Sequence, residues 1–293
     1  MCLKIITLIE NTLGEDLSLV REHGLSIFIE TPYGNILFDT GQSNNFIKNA
    51  KSLNIDLNSI KYIILSHAHY DHSNGLKPLL DTITSKPSLY VSKYFFNHQD
   101  KYYETQLKNS VDVSQNKQLK YIGVDFHKEF ILDKDITINY ITNNSLNLTP
   151  NITIHTNFHK SCSFETINKN MKVKLNNTIV LDLFKDEVAL SIDTKKGLLI
   201  LVGCSHPGIV SIIETIRRRS NKNIYGVIGG THLIEADEYR IKRTIEYFND
   251  MNIELIGVSH CTGDKAIDQF KRQSKNFFIN NTGKILDISD ITT

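Results

Sequence analysis

Four residues that commonly bind metal ions stand within six positions of this chain, in residues 63–75, which read IILSHAHYDHSNG. They are His67, His69, Asp71 and His72. In an extended segment, residues two apart such as His67 and His69 point the same way. Neutral imidazoles and carboxylates are standard ligands of Zn2+ and similar ions. A polar surface loop is the alternative, but the residue order and the apolar run before it favour a metal site.

Four groups in one loop cannot complete the coordination of two ions, so further ligands must come from elsewhere. Two other apolar runs end in suitable residues: LILVGCSH carries Cys204 and His206, and LIGVSHCTG carries His260. Strand ends that carry histidine can converge at one rim of a sheet. Two alternatives stay open: His260 could bond the backbone, and Cys204 could be a small buried hydrophobe and not a ligand.

The elements that would position these residues follow from periodicity and turn chemistry. Residues 25–30 and 36–41 predict a hairpin, residues 62–66 a buried strand that ends at the histidines, and residues 188–204 a second hairpin. Helical periodicity predicts three later helices, at residues 208–219, 235–251 and 264–274. This order predicts an α/β (α+β) fold, an αββα sandwich of two mixed sheets flanked by helices. A doubly wound sheet is the alternative that composition alone leaves open.

The middle of the chain, residues 93–187, is rich in Lys and Asn and less regular. Residues 118–124 and 136–141 have strand patterns, and the composition of residues 141–151 predicts a loop. We therefore expect one domain over residues 1–293 with an elaborated insertion at 93–187. Near the C-terminus, residues 276–281 are expected to form a strand.

Composition bounds the function. With 33 Lys and Arg against 32 Asp and Glu, the formal net charge is +1, so no nucleic-acid-binding or membrane surface is expected. The four cysteines include no CxxC pair, which indicates a reducing setting and a cytoplasmic protein. The N-terminal apolar run is too short for a membrane span. The partner expected is a small-molecule substrate; oligomeric state is not indicated.

The segment HAHYDH matches the H-x-H-x-D-H signature of the metallo-β-lactamase superfamily, and ILFDTG resembles the strand motif that precedes it there. The further segments LILVGCSHPGIV, VIGGTHL and SHCTG are similar to the subgroup of dihydropterin-ribofuranosylaminobenzene phosphate synthase-like proteins, often described as metal-dependent hydrolases. The resemblance spans most of the chain and favours the sandwich over the doubly wound sheet. The substrate in the subgroup's name carries little weight, because one fold hosts many reactions.

The resemblance implies a ligand set. His67, His69 and His206 would bind a first metal, and Asp71, His72 and His260 a second. The aspartate that usually bridges the ions is absent, and Cys204 occupies about that place. Asp39 would accept a hydrogen bond from a liganding imidazole. His232 and His23 are candidates for the substrate pocket; the alternatives are a helix-capping role for His232 and a plain loop position for His23.

The resemblance also implies a reaction and a cofactor. Bound Zn2+ lowers the pKa of its water to about 7, so a metal-bound hydroxide would attack a small-molecule ester, lactone or phosphoester, with Asp71 as the catalytic residue. One or two divalent ions are expected. Zinc is favoured, because related di-iron reductases carry glutamate where this chain has His69; Mn or Fe is also compatible. A catalytically silent, ligand-binding or regulatory relative is the alternative function. A nuclease is disfavoured by the charge balance.

Overall fold

Short apolar runs rich in Ile, Val and Leu form most of the strands, and amphipathic segments form the helices. The structure is a computed structural model that describes residues 3–106 and 117–288. The strands in chain order are β1 (Leu3–Ile9), β2 (Ser26–Glu30), β3 (Asn35–Phe38), β4 (Ile60–Ile64), β5 (Ser88–Ser92), β6 (Lys101–Gln106), β7 (Lys117–Tyr121), β8 (Ile138–Ile141), β9 (Ser145–Thr149), β10 (Ile152–His155), β11 (Met171–Leu175), β12 (Thr178–Leu181), β13 (Ala189–Thr194), β14 (Gly197–Val202), β15 (Ile224–Gly230), β16 (Leu255–Ser259) and β17 (Ile285–Ile288). The α-helices are α1 (Asn45–Ser52), α2 (Tyr70–Ser73), α3 (Leu76–Thr82), α4 (Lys128–Asp133), α5 (Ile209–Ser220), α6 (Glu238–Asp250) and α7 (Asp264–Gln273).

Two mixed sheets form the centre of the fold. Within the described residues, the first has the strand order β17-β1-β2-β3-β4-β5-β8 and the second the order β16-β15-β14-β13-β10-β9. Residues such as Phe38 and Ile64 on one sheet and Leu190 and Leu201 on the other share one fully buried cluster. Because burying one such side chain stabilises the fold by about 1.5–3 kcal/mol, this interface holds the two sheets together.

Helices cover the outer faces of both sheets. Helices α1, α3 and α4 contribute to the cluster on the first sheet, where Phe46 and Leu79 are fully buried. Helices α5, α6 and α7 do the same on the second, with Ile213, Ile245 and Phe270 in its cluster. The predicted αββα sandwich is therefore confirmed. No helix within the described residues combines the length and apolar character needed to cross a membrane.

The stretch 93–187 contributes strands to both main sheets as well as a sheet of its own. It supplies a third sheet of order β12-β11-β6-β7, which packs on a small cluster of Ile122, Met171 and Phe184. It also supplies strand β8 to the first sheet and strands β9 and β10 to the second. Residues 107–116 of this stretch lie outside the described residues.

Two local expectations were wrong. Residues 145–149, expected in a loop, form strand β9, which is the edge strand of the second sheet as described and pairs there with β10. Leu146 and Leu148 are half buried there and alternate with exposed residues, a period-two pattern that the surrounding Asn residues obscure. Residues 276–281, expected as a strand, make only an isolated bridge at Phe277.

Parallel pairing gathers the chemically active residues at one edge. Strands β3 and β4 run parallel in the first sheet, and β14, β15 and β16 run parallel in the second. The residues that follow their C-terminal ends are Asp39, His67, Cys204, His232 and His260. In α/β sheets, the carboxyl ends of parallel strands are where ligands bind, and the packing of the two sheets brings these ends of both sheets together.

Candidate metal centre

The first group of potential ligands is His67, His69 and His206. His67 Nε2 lies 3.0 Å from His69 Nδ1 and 3.3 Å from His206 Nε2. All three side chains are buried, and burial is the largest cause that holds the pKa of each imidazole well below its usual value. These rings are therefore neutral near pH 7 and present lone pairs to a common point. One divalent cation would satisfy all three nitrogens, so the group fits a three-histidine metal site.

The second group is Asp71, His72 and His260. His260 Nε2 lies 3.1 Å from His72 Nε2 and 3.3 Å from Asp71 Oδ2. Burial alone would raise the pKa of Asp71, but His72 and hydrogen bonds from His23 and His260 outweigh it and hold that pKa well below its usual range. Asp71 is thus an ionised carboxylate between two imidazoles, a set that fits a second divalent ion.

Cys204 lies between the two groups. Its Sγ is 3.1 Å from His72 Nε2, and it falls within ligand distance of a common point with both His67 and His72. The His67 and His72 rings themselves are only 4.4 Å apart, centroid to centroid. The geometry therefore admits a thiolate ligand shared by two adjacent ions. The preceding Gly203 permits this approach, because a Cβ there would lie 2.2 Å from Ser66 Oγ.

Asp39 orients the His72 ring through a hydrogen bond. Its Oδ2 lies 2.7 Å from His72 Nδ1 and accepts that ring's hydrogen, which leaves Nε2 facing the second group. The same carboxylate accepts hydrogen bonds from the Ser66 backbone N–H and hydroxyl, each at 2.7 Å. Burial lowers the pKa of His72, but Asp39 and Asp71 outweigh it and raise the pKa above its usual value. Without a metal ion, a proton supplies the positive charge that these carboxylates favour, and metal binding would release it.

His260 is oriented by residues that the sequence reading missed. Asn11 Oδ1 lies 2.9 Å from His260 Nδ1, and Glu10 Oε1 accepts a hydrogen bond from the His260 backbone N–H at 2.7 Å. His260 adopts a left-handed backbone with φ of 54°, a conformation that costs energy and is maintained only by surrounding contacts. Glu10 and Asn11 directly follow strand β1, so their position after an apolar run was the signal that could have identified them.

A buried ion triad supports the H-x-H loop and was also missed. Lys101 Nζ lies 2.5 Å from Asp182 Oδ2 and 3.0 Å from Asp186 Oδ1. Asp186 Oδ2 in turn accepts a hydrogen bond from the Ala68 backbone N–H, between the two histidines, at 2.9 Å. Burial lowers the pKa of Lys101, but the two carboxylates outweigh it and raise the pKa, so the ammonium stays charged.

Phe184 links this triad to the ligands. Its ring stacks on His206 with centroids 3.9 Å apart and planes 7° apart, and it meets His69 edge-on at 5.7 Å. Lys101 Nζ lies 4.7 Å from the centre of the same ring. No short sequence motif marks these residues, because they come from distant parts of the 93–187 stretch and its border.

His23 and His232 both lie at the centre's open side. His23 is half exposed, and its Nε2 lies 3.1 Å from Asp71 Oδ2. The His232 ring is buried and lies 4.3 Å from the His206 ring. Both line a cavity of about 410 Å3 that borders the potential metal ligands His69, Asp71, His206 and His260. The other walls of this cavity include Tyr70, Tyr103, Lys120, Ile122, Met171 and Ile234.

The structure thus brings all the residues singled out from the sequence to one edge of the sandwich. Their individual roles stay predictions. A small molecule fits the cavity by size, since small-ligand pockets measure about 300–1,000 Å3, and its walls combine apolar and aromatic side chains with polar ones such as Asn11, Lys120 and Glu235.

Comparison with known proteins gives this geometry a context. The model of the metallo-β-lactamase superfamily matches residues 19–153. A protein of Methanocaldococcus jannaschii, 7,8-dihydropterin-6-methyl-4-(β-D-ribofuranosyl)-aminobenzene-5'-phosphate synthase, is 34% identical over 97% of this chain and 96% of its own length.

Solved structures agree on the fold. A metal-dependent hydrolase of the β-lactamase superfamily superimposes with a TM-score of 0.79 at 28% identity, over 97% of this chain and 98% of the other. The Zn2+-bound PqqB of Methylobacterium extorquens superimposes with a TM-score of 0.58 at 12% identity, over 97% of this chain and 99% of its own. At that identity, the second likeness shows a shared fold alone.

Proposed function

This chain belongs to the metallo-β-lactamase superfamily, and from that premise we propose that it is a metal-dependent hydrolase of a small-molecule ester, lactone or phosphoester. The observation that carries the proposal is the pair of adjacent ligand groups, with His67 and His72 rings 4.4 Å apart, at the base of a cavity sized for a small molecule. Superfamily membership supports an enzyme that uses divalent metal.

The donor set favours zinc. Imidazole nitrogens, one carboxylate and one thiolate are ligands that Zn2+ accepts, and the thiolate of Cys204 favours a softer ion over Mn2+. A bound divalent ion would supply Lewis acidity, which activates water near neutral pH and polarises the oxygen of an ester or phosphoester. The residues of the chain would then provide position and proton transfer.

Asp71 would accept and pass on a proton. Its Oδ2 lies 3.1 Å from His23 Nε2, and the His23 side chain is 52% exposed, so one hydrogen bond connects the buried carboxylate to solvent. Asp39 would keep His72 in the tautomer that presents Nε2 to the metal. Asp186 would hold the loop between His67 and His69 in place through the Ala68 N–H. The roles of Asp39 and Asp186 are orienting ones, which reduce the structural reorganisation that the reaction requires.

The test is a screen of esters, lactones and phosphodiesters with the protein before and after chelation. We expect turnover of at least one class, its loss with chelator, and its recovery with Zn2+. Asp71→Asn should lose most of the rate, because a neutral amide is a poor metal ligand and a poor proton acceptor. The matched control, Asp250→Asn at the exposed end of helix α6, should retain it. Turnover that survives both chelation and Asp71→Asn would contradict the proposal.

A second candidate rests on the 34% identity to a named synthase over nearly the whole of both chains. In that case the same centre would catalyse formation of the dihydropterin compound in that protein's name, which carries a phosphate group. Incubation with the precursors of that compound, followed by mass spectrometry of the products, separates the two candidates. Product formation without hydrolysis of any screened substrate would favour the synthase.

A further inference from the structure

A second cavity of about 280 Å3 adjoins the metal centre. His232, Glu235 and Tyr103 line both cavities, so the two spaces share a wall. The far walls of the second cavity are polar and include the amides of Asn168 and Asn170. A substrate at the potential metal ligands would therefore lie next to a hydrogen-bonding compartment.

Arg240 is the charged group of this compartment. It lies in the first turn of helix α6 and is 8% exposed. Its Nη1 donates to the Thr166 carbonyl at 3.0 Å, but its buried Nε has no partner within the described part of the chain. Burial lowers the pKa of Arg240, yet the group remains a cation. Within residues 3–106 and 117–288, no carboxylate comes within salt-bridge distance of it, and its negative neighbours, Glu165 and Asp237 among them, only partly offset the effect of burial on its pKa.

His232 stands between this compartment and the metal ligands. It is 8% exposed, and neither of its ring nitrogens makes a well-formed hydrogen bond among the described residues, although the ring lies close enough to the Cys261 thiol to lower that thiol's pKa and within ligand distance of Cys204 and His206. Its backbone has φ of 48°, a left-handed conformation that a non-glycine residue adopts at a cost. Two buried polar side chains, Arg240 and His232, therefore line one small cavity with unused hydrogen-bonding capacity. Buried polar groups are normally paired, so these are available to a ligand.

Glu235 modifies the charge at the shared wall. Tyr103 Oη donates to its Oε1 at 2.7 Å, and Asn168 Nδ2 donates to its Oε2. Its side chain is 39% exposed, and Oε2 lies 3.8 Å from His232 Nε2. The carboxylate would weaken the binding of a bare anion, and it can accept a hydrogen bond from a hydroxyl or amine next to that anion.

We infer that this second cavity is an oxyanion subsite in which Arg240 and His232 bind a phosphate or carboxylate group of the substrate. The inference rests on the proposed function, because the rest of that substrate would occupy the cavity over the metal ligands. The substrate class is thus an anionic organic compound with a hydroxyl or amine beside its anionic group, the reacting bond lying toward His206.

Inorganic phosphate is the probe, titrated into the full-length protein by calorimetry, both with metal and after chelation. Arg240→Gln should weaken phosphate binding by about tenfold or more in both forms, the effect expected when a charged hydrogen-bond donor is removed. Arg243→Gln, one turn along the same helix at a 48% exposed side chain, is the matched control and should bind as the wild type does. Equal phosphate binding by the wild type and Arg240→Gln would overturn the inference. So would a wild type that binds no phosphate either with metal or after chelation.

Glu235→Gln gives a test of opposite sign that does not depend on the folding of the Arg240 variant. Removing the negative charge should strengthen phosphate binding a few-fold, since two like charges close together near a surface repel each other. Unchanged or weaker binding would count against the subsite. Acetate, titrated in parallel, distinguishes a carboxylate from a phosphate as the natural group. A protein that binds no metal but binds phosphate through Arg240 would refute the proposed function and leave the subsite standing.

Discussion

Asp186 Oδ2 accepts a hydrogen bond from the backbone N–H of Ala68 at 2.9 Å, across 118 positions of the chain. This bond joins the border of the 93–187 stretch to the loop that carries the first two ligands. Asp186 is itself paired with the buried Lys101. The stretch that supplies the third sheet therefore also fixes the geometry of the loop that carries His67 and His69.

Lys101→Met should destabilise the protein strongly. It leaves Asp182 and Asp186 buried without their cation, and breaking a buried ion pair on one side costs about 3–5 kcal/mol of unfolding free energy. Lys117→Met removes a largely exposed lysine from its pair with Glu104, so it should cost less than about 1 kcal/mol. Denaturant unfolding measures both. Equal, small effects would show that the triad contributes little to stability.

Asp39→Asn should weaken metal binding while the fold is retained. The change removes the charged acceptor of the His72 Nδ1 hydrogen. Substituting a residue that hydrogen-bonds to a metal ligand typically costs about 10–100-fold in metal affinity. Competition with a chromophoric chelator measures that affinity. Asp250→Asn, at an exposed carboxylate, is the control. Wild-type affinity in Asp39→Asn would argue against an orienting role.

Cys204→Ser should reveal whether a thiolate binds metal. With Co2+ in place of the native ion, a thiolate ligand gives a near-ultraviolet charge-transfer band, and we expect this band in the wild type because Cys204 Sγ lies 3.1 Å from His72 Nε2. The serine variant should lose the band and part of its metal content. Cys162→Ser, at a cysteine outside the centre, should keep both. A band that persists without Cys204 would leave this cysteine as a packing residue.

His155 should make stability depend on pH. Burial, with a smaller effect of Arg219, lowers its pKa from 6.5 to about 4 in the folded state. Between these values the unfolded chain binds more protons than the folded one, so stability falls as pH drops from 6.5 to 4, by about 3 kcal/mol from this residue. His155→Gln should remove that part of the loss, whereas His159→Gln, at an exposed residue, should not. Parallel stability–pH curves for the wild type and His155→Gln would contradict this assignment.

The sequence predicted the sandwich and the candidate centre because both depend on local patterns. Each of His67, Cys204 and His260 follows an apolar run, parallel strands bring such ends to one edge within each sheet, and the packing of the two sheets places these edges together. Lys101 and Asp186 could not be predicted, since they are 85 positions apart and neither belongs to a recognisable motif. Strand β9 was missed because its pairing with β10 at a sheet edge, and not its own composition, decides its structure. The substrate, the metal and a cytoplasmic location stay predictions.

The most direct test of the account is the metal content of the purified protein. Mass spectrometry after purification without added metal or chelator should find up to two transition-metal ions per chain, because the ligands form two adjacent groups. His67→Ala should lose the first ion and His260→Ala the second, while the exposed-site control His159→Ala should retain both. A folded wild-type protein that contains no stoichiometric metal, and takes up none when Zn2+ or Mn2+ is added, would contradict the account.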